Sequence, residues 1–146
     1  MTTIRAATTA DLPALVTMGR RFLAMLYTDR LKDAPDRLDA LASQLVGDAN
    51  SLVLVSEQAG EVVGMIAMVC YEHPMSGDPM AVEMFWWVEP EQRGDGMRLF
   101  RRARAWAKAR GARILQMIAP ATNPDVAAMY DRLGFVPMET TYQRSL

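Results

Sequence analysis

The chain has 146 residues, 51% of them apolar and 23% charged, with a net charge of −1. That length suits one domain with a core of two or three layers, and the near-neutral charge gives no field to attract nucleic acid or an anionic membrane. The single cysteine, Cys70, excludes an internal disulfide and a cysteine-rich metal site, and its apolar neighbours make it a buried, inert thiol. The N-terminus lacks a signal-peptide pattern and no apolar run is long enough to span a bilayer, so the expected location is the cytoplasm.

The first residues, Thr3–Ala6, have the composition of a short strand. Thr9 or Asp11 then caps a helix with Pro13 in or near its first turn, where proline is least harmful. Leu12, Leu15, Met18, Phe22 and Met25 or Leu26 give that helix one apolar face. A second helix is predicted over 33–46, with Pro35 in its first turn and Leu38, Leu41 and Leu45 along one side. Gly47-Asp48-Ala49-Asn50 closes it as a turn. Two β-branched runs, 52–56 and 62–71, flank a short polar linker with a glycine, which is a hairpin signal. The segment 72–80 holds two prolines and a glycine and is expected to be a loop.

The stretch 83–111 organises the second half of the chain. Met84, Phe85, Trp86, Trp87 and Val88 form an apolar, aromatic strand, which Pro90 ends because it has no N–H for a ladder. Arg93-Gly94-Asp95-Gly96 supplies two glycines that allow positive φ and leave backbone amides uncovered. A helix comes next, with Leu99, Phe100, Ala103, Trp106 and Ala107 on one side and Gly111 just past its end. A strand, a glycine loop and a helix N-terminus make a site for an anion, above all a phosphate. A further strand is predicted over 113–118, parallel to the first through a right-handed crossover. Asn123-Pro124-Asp125 opens a last helix through Tyr130, Gly134 ends it, and a final strand is expected from Phe135 to about Tyr142.

Two strings in this half resemble one family. V-E-P-E-Q-R-G-D-G resembles the pyrophosphate loop of the GNAT acetyl-CoA-dependent N-acetyltransferases, whose pattern is Arg/Gln-x-x-Gly-x-Gly/Ala. Arg93 and Gly96 match, but Arg98 stands where the last small residue belongs. Aligned by the apolar phase of the helix instead, Gly94 and Gly96 fall on the glycines and Glu91 takes the Arg/Gln place. N-P-D-V-A-A-M-Y-D-R-L-G-F resembles the family's second motif at Asn123, Tyr130, Gly134 and Phe135, with Val126 for its alanine and Met129 for its leucine. The order of elements agrees across nearly the whole chain. The strings E-M-F-W-W-V and E-T-T-Y-Q-R-S-L also look like a phage-associated branch.

The resemblance implies a single α/β (α+β) domain over 1–146: a mixed, mostly antiparallel sheet of about six strands, about four flanking helices and a splayed parallel pair. It implies acetyl transfer from acetyl-CoA, without a metal, to a primary amine on an unidentified small molecule or peptide. Pantetheine would lie between the splayed strands against backbone near Trp87 and Val88. The amides from Arg93 through Gly94, Asp95, Gly96 and Met97 to Arg98 would take the pyrophosphate, and Asn123 is grouped with them. Tyr130 matches the family's general acid. Glu83, the first carboxylate of an apolar strand, is the candidate general base.

Other assignments compete. Tyr130 is also a packing residue, Glu83 also a marker of where a strand leaves solvent, and His73, in its proline-rich loop, the lesser candidate base. The twelve methionines read as core filler. Arg98, Arg101, Arg102, Arg104, Lys108 and Arg110 make a basic, solvated helix face, from which Arg98 or Arg101 can reach a coenzyme phosphate. The altered loop at Arg98 leaves open a degenerate fold that binds CoA, or nothing, as an interaction module. Nucleic-acid binding through the arginine helix is disfavoured, because acidic residues balance it and no recognised motif accompanies it. A homodimer stays open.

Overall fold

The computed structural model describes residues 1–27 and 30–146. In chain order the elements are β1 (Thr3–Ala6), α1 (Leu12–Tyr27), α2 (Pro35–Gly47), β2 (Ser51–Gln58), β3 (Glu61–Glu72), β4 (Pro79–Val88), a 3-10 turn (Pro90–Asp95), α3 (Gly96–Ala109), β5 (Ile114–Gln116) and α4 (Pro124–Arg132). The strands lie in the order β1-β2-β3-β4-β5, antiparallel except for the β4–β5 pair. No helix among the described residues is long and apolar enough to cross a membrane.

Strand alternation sends side chains to two faces, and each face has its own core. Ile4, Leu54, Ile66, Met68 and Val88 meet Leu99, Ala103 and Ala107 of α3. On the other face Val53, Val55, Met65, Ala67 and Trp87 meet Leu15 and Met18 of α1 and Ala42 and Leu45 of α2. Trp86 packs toward α3 and Trp87 toward α1 and α2, as the alternation of neighbours on a strand requires.

Several expectations need correction. Among the described residues the sheet has five strands, not about six, and residues 135–146 carry no strand. The prolines near 74–79 do not occupy a long loop. β3 runs to Glu72 and β4 starts at Pro79, where the first position of a strand tolerates a residue with no N–H. The Gly94–Gly96 loop does not use positive φ. It winds as a 3-10 turn straight into α3, with Gly96 at φ −52°, and the Gly96 N–H is given to the Arg93 carbonyl. Cys70 is half-buried, and burial pushes its thiol above the ordinary range.

The basic helix is more than a solvated face. Ala7 N–H bonds Val53 O, so the ladder's alternation turns the carbonyls of Thr2, Ile4 and Ala6 away from β2. Arg98 Nη1 donates to Thr2 O at 3.1 Å, Arg102 donates to Ile4 O, and Arg5 donates to Ala6 O at 3.2 Å. Three guanidinium groups thereby cover the outer edge of β1, which would otherwise be a template for another strand.

Close packing where β3 meets β4 sets a test. A Cβ on Gly64 would sit 2.5 Å from the buried, unpartnered hydroxyl of Ser56 and 3.3 Å from Val88 Cγ2. Gly64→Ala should destabilise the protein by about 1–3 kcal/mol in urea unfolding, through overpacking. In a Ser56→Ala background, which removes the obstructing oxygen, the same change should cost measurably less.

Candidate functional site

β4 and β5 pair over only three positions, Met80 with Ile114, Ala81 with Leu115 and Val82 with Gln116. Beyond Val82 the two strands part, while β4 continues along β3 to Val88. A bulge falls where they part: Met68 pairs with Glu83 and Ala67 with Phe85, which leaves Met84 unpaired. Bulges re-aim side chains, and here one sits directly after the first residue past the parallel ladder.

That residue is Glu83, only 4% exposed. Its Oε2 accepts the Ile118 N–H at 3.1 Å and the Tyr130 hydroxyl at 3.4 Å, and the same hydroxyl lies 3.3 Å from Ile118 O. The carboxylate thus reaches across the parted strands and bonds the chain beyond β5, where a β4 carbonyl no longer can. Burial pushes Glu83 up from 4.5 to about 7, against the lowering effect of its two hydrogen bonds. Tyr130 is raised above its ordinary value by burial first, then by the charge of Glu83 and its hydrogen bond, so its hydroxyl keeps its proton. The Tyr130 ring is held against Trp86 and Phe135, with centroids at 6.4 and 5.2 Å.

The gap also leaves backbone without a strand partner. Since the Glu89 N–H bonds Val63 on β3, alternation turns the backbone of Trp87 toward β3 and that of Trp86 and Val88 into the gap. Trp87 lies on the α1–α2 face instead, with Arg93 stacked 5.0 Å over its ring and its indole N–H buried without a partner. On that face Leu15, Phe22, Leu38, Leu41, Met84 and Phe85 line an almost wholly apolar cleft of about 100 Å³. A larger concavity of about 710 Å³ lies farther along, where Pro13, Arg21, Glu61, Glu89 and Gln92 meet the 3-10 turn.

At the start of α3 the candidate phosphate residues serve one another. Asp95 is buried, accepts the Thr2 hydroxyl at 2.6 Å and Arg98 Nη1 at 3.2 Å, and keeps its other oxygen unpartnered. Arg98 also donates to Thr2 Oγ1 at 2.6 Å. Gly94 is exposed and Met97 half-buried. Asn123 caps the start of α4, with its carbonyl taking the Val126 N–H at 3.2 Å, and sits two turns from Tyr130. His73 joins the 73–78 turn, where its ring lies 3.3 Å from Ser76 Oγ, at the other end of β4 from the gap. Glu83, Tyr130 and gap-facing backbone are therefore brought together, while Asn123 and His73 lie apart from them. Sequence reasoning missed the main chain of Ile118, for which no signal existed, and Thr2, which nothing marks as the partner of Asp95 and Arg98.

The family model of the Acetyltransferase (GNAT) family matches residues 19–135. The chain belongs to the GNAT acetyltransferase family. Solved structures agree along its whole length. A transcriptional regulator from Bacillus halodurans is 25% identical over 100% of both chains, with a TM-score of 0.82. A predicted acetyltransferase with acetyl-CoA from Clostridium acetobutylicum is 18% identical over 99% of this chain and 96% of its own, with a TM-score of 0.81. An aminoglycoside 6'-N-acetyltransferase from Acinetobacter haemolyticus is 20% identical over 99% and 97%, with a TM-score of 0.76. These last two show the fold. A search of curated proteins finds no match, and the phage-associated branch finds no support in these likenesses.

Protonation of Glu83 makes the site's burial measurable. Its folded pKa of about 7 lies above the ordinary 4.5, so the folded state binds the extra proton between these values. The stability this gives is fully present below pH 4.5 and is lost as pH rises to about 7. The loss should be about 3 kcal/mol, and urea unfolding of Glu83→Gln should show a much flatter profile over that window.

Proposed function

We propose that the protein is an N-acetyltransferase that uses acetyl-CoA to acetylate a primary amine, with Glu83 as general base and Tyr130 as general acid. The observation that carries this is the Glu83–Tyr130 hydrogen bond at the point where the parallel strands part. The gap fits a pantetheine arm in one respect that the residues themselves show: the backbone of Trp86 and Val88 faces it without a partner strand. Acetyl-CoA, when bound, supplies an acetyl thioester, which is the electrophile an amine needs.

The chain's own part is proton handling. Amines are protonated at neutral pH, so the nucleophile must first lose a proton. Glu83, tuned to about 7, is ionised enough to take it and basic enough to hold it. Its Oε2 is committed to Ile118 and Tyr130, which leaves Oε1 to accept that proton. Once Glu83 is neutral, the charge that raised Tyr130 is gone and the phenol becomes a better acid. Base and acid thus act in order: Glu83 takes one proton from the ammonium, the neutral amine attacks, and Tyr130 protonates the sulfur as the C–S bond breaks. The second nitrogen proton restores the phenol, leaving one proton on Glu83 to be released.

At the phosphate end the fit is incomplete. The Gly96 N–H is already bonded, Asp95 places a carboxylate beside the helix N-terminus, and Arg98 is held by Thr2. Arg93, stacked on Trp87, is the cation of this turn left to meet a pyrophosphate. The same facts favour a second reading, a degenerate fold that binds CoA weakly or not at all. For the acceptor, the apolar cleft at the bulge favours an amine carried on an apolar chain over a polycation.

Two experiments separate these readings. Tyr130→Phe keeps the ring packing, so turnover with an acceptor found by screening apolar amines and peptides should fall about 10²–10⁴-fold with little change in coenzyme affinity. Because the lost hydrogen bond had lowered Glu83, the acid limb of the residual pH–rate profile should move upward. Gly96→Ala is sterically allowed, with the nearest Trp86 atom 3.5 Å away and a helical φ, so it should raise stability by roughly 0.5–1 kcal/mol. If phosphate approaches this turn, the same variant should weaken CoA binding in calorimetry; unchanged affinity would remove the turn from the site, and a wild-type chain that does not bind CoA would favour the degenerate fold.

A further inference from the structure

A glycine inside a helix destabilises it relative to alanine, because its backbone loses more freedom on folding. α1 nevertheless carries Gly19 near its middle, and buried. Two structural reasons would account for such a glycine, and neither applies. Its φ is not positive. Among the described residues no second backbone presses on it: a Cβ built there would meet first the side chain of Leu38 on α2, at 3.4, 3.6 and 4.0 Å. Those are ordinary contacts with the end of a flexible side chain, so alanine would fit and would strengthen the helix. What the glycine preserves is empty space.

That space belongs to the apolar cleft of about 100 Å³. Gly19 and Leu38 line it from the two helices, and Met84 and Phe85 line it from β4. Met84 is the residue that the bulge leaves unpaired; it is 39% exposed and directly follows Glu83 in the chain. Apolar cavities stay dry and take apolar guests. One of about 150 Å³ holds benzene, so one of about 100 Å³ takes about four carbons. An ammonium would lose its hydration in so apolar a lining and find no partner, so the chain enters and the amine stays outside.

We propose that Gly19 sets the length of the acceptor chain, and that the cleft takes an alkyl group of about four carbons, the size of a leucine side chain. The acceptor is then a primary amine whose amine-bearing carbon carries a short branched alkyl group, and not a long fatty chain or a polyamine. Met84 does not set the limit, because methionine is unbranched and adapts to its guest. The wall that does is the helix backbone at Gly19, where one added methyl would remove about one carbon of space. As an acceptor site this rests on the acetyltransferase reading, but the recognition itself needs no acetyl-CoA.

The probes are 3-methylbutylamine, 2-methylpropylamine, octylamine and 1,4-diaminobutane, added to the full chain without acetyl-CoA. Methyl NMR signals of Leu38 and Met84 should move with 3-methylbutylamine, and octylamine and diaminobutane should bind at least about 10-fold more weakly. Gly19→Ala should raise the urea midpoint, weaken 3-methylbutylamine about 10-fold and leave 2-methylpropylamine the better ligand. A lowered midpoint would show that packing requires the glycine, and it overturns the proposal. So does octylamine that binds as tightly as 3-methylbutylamine, an unchanged preference in Gly19→Ala, or a spectrum that no amine moves. Turnover with acetyl-CoA is measured separately. Its absence beside selective binding would sink the acetyltransferase reading and leave Gly19 as the gauge of the cleft.

Discussion

The site depends on one buried carboxylate that holds two diverging strands together. A parallel pair that parts after three positions leaves main-chain groups without ladder partners, and each such buried group is costly. Glu83 meets that cost with a side chain: it takes the Ile118 N–H that no strand takes and fixes the Tyr130 hydroxyl between itself and the Ile118 carbonyl. The bulge at Met84 and the turn of Trp86 and Val88 toward the gap are arranged around this contact. The burial that makes the contact necessary is also what raises Glu83 to about 7. Structural closure and proton affinity therefore have one cause.

Arginine has a parallel double use at the sheet's first edge. Arg98 and Arg102 lie on α3 and read from the sequence as part of a basic, solvated face, yet their guanidinium groups donate to the carbonyls of β1. This joins the first residues of the chain to the N-terminus of α3, through Thr2 and Asp95. The start of α3 is consequently tied down by these contacts, with one Asp95 oxygen left unpartnered, whereas β4 and β5 stay apart beyond Val82. The stronger case for catalysis thus comes from the strand gap and not from the glycine turn.

How much was legible in the sequence depends on the range of the interactions. Periodicity found α1 and α3 because their apolar faces repeat locally, and the aromatic run found β4 because a strand buried on both faces must be apolar. The pair of motifs placed Tyr130, and the lone carboxylate in an apolar strand singled out Glu83. The hidden features were long-range. The partner of Arg98 lies at Thr2, and the partner of Glu83 is a main-chain N–H, which has no side-chain signature. The glycine turn departs from expectation because glycine permits positive φ without requiring it, and the 3-10 turn that runs into α3, kinked at Gln92, needs none. The strand expected at 135–142 has the right residues, but pairing depends on an edge that the sequence does not locate.

The most direct measurement is a titration of the Glu83 carboxyl, tracked by its carbon NMR signal in labelled protein and assigned by its loss in Glu83→Gln. Burial at the strand gap predicts a midpoint near pH 7 in the wild-type chain. A midpoint near the ordinary 4.5 would show a solvated carboxylate and contradict both the closure of the gap and the proposed base.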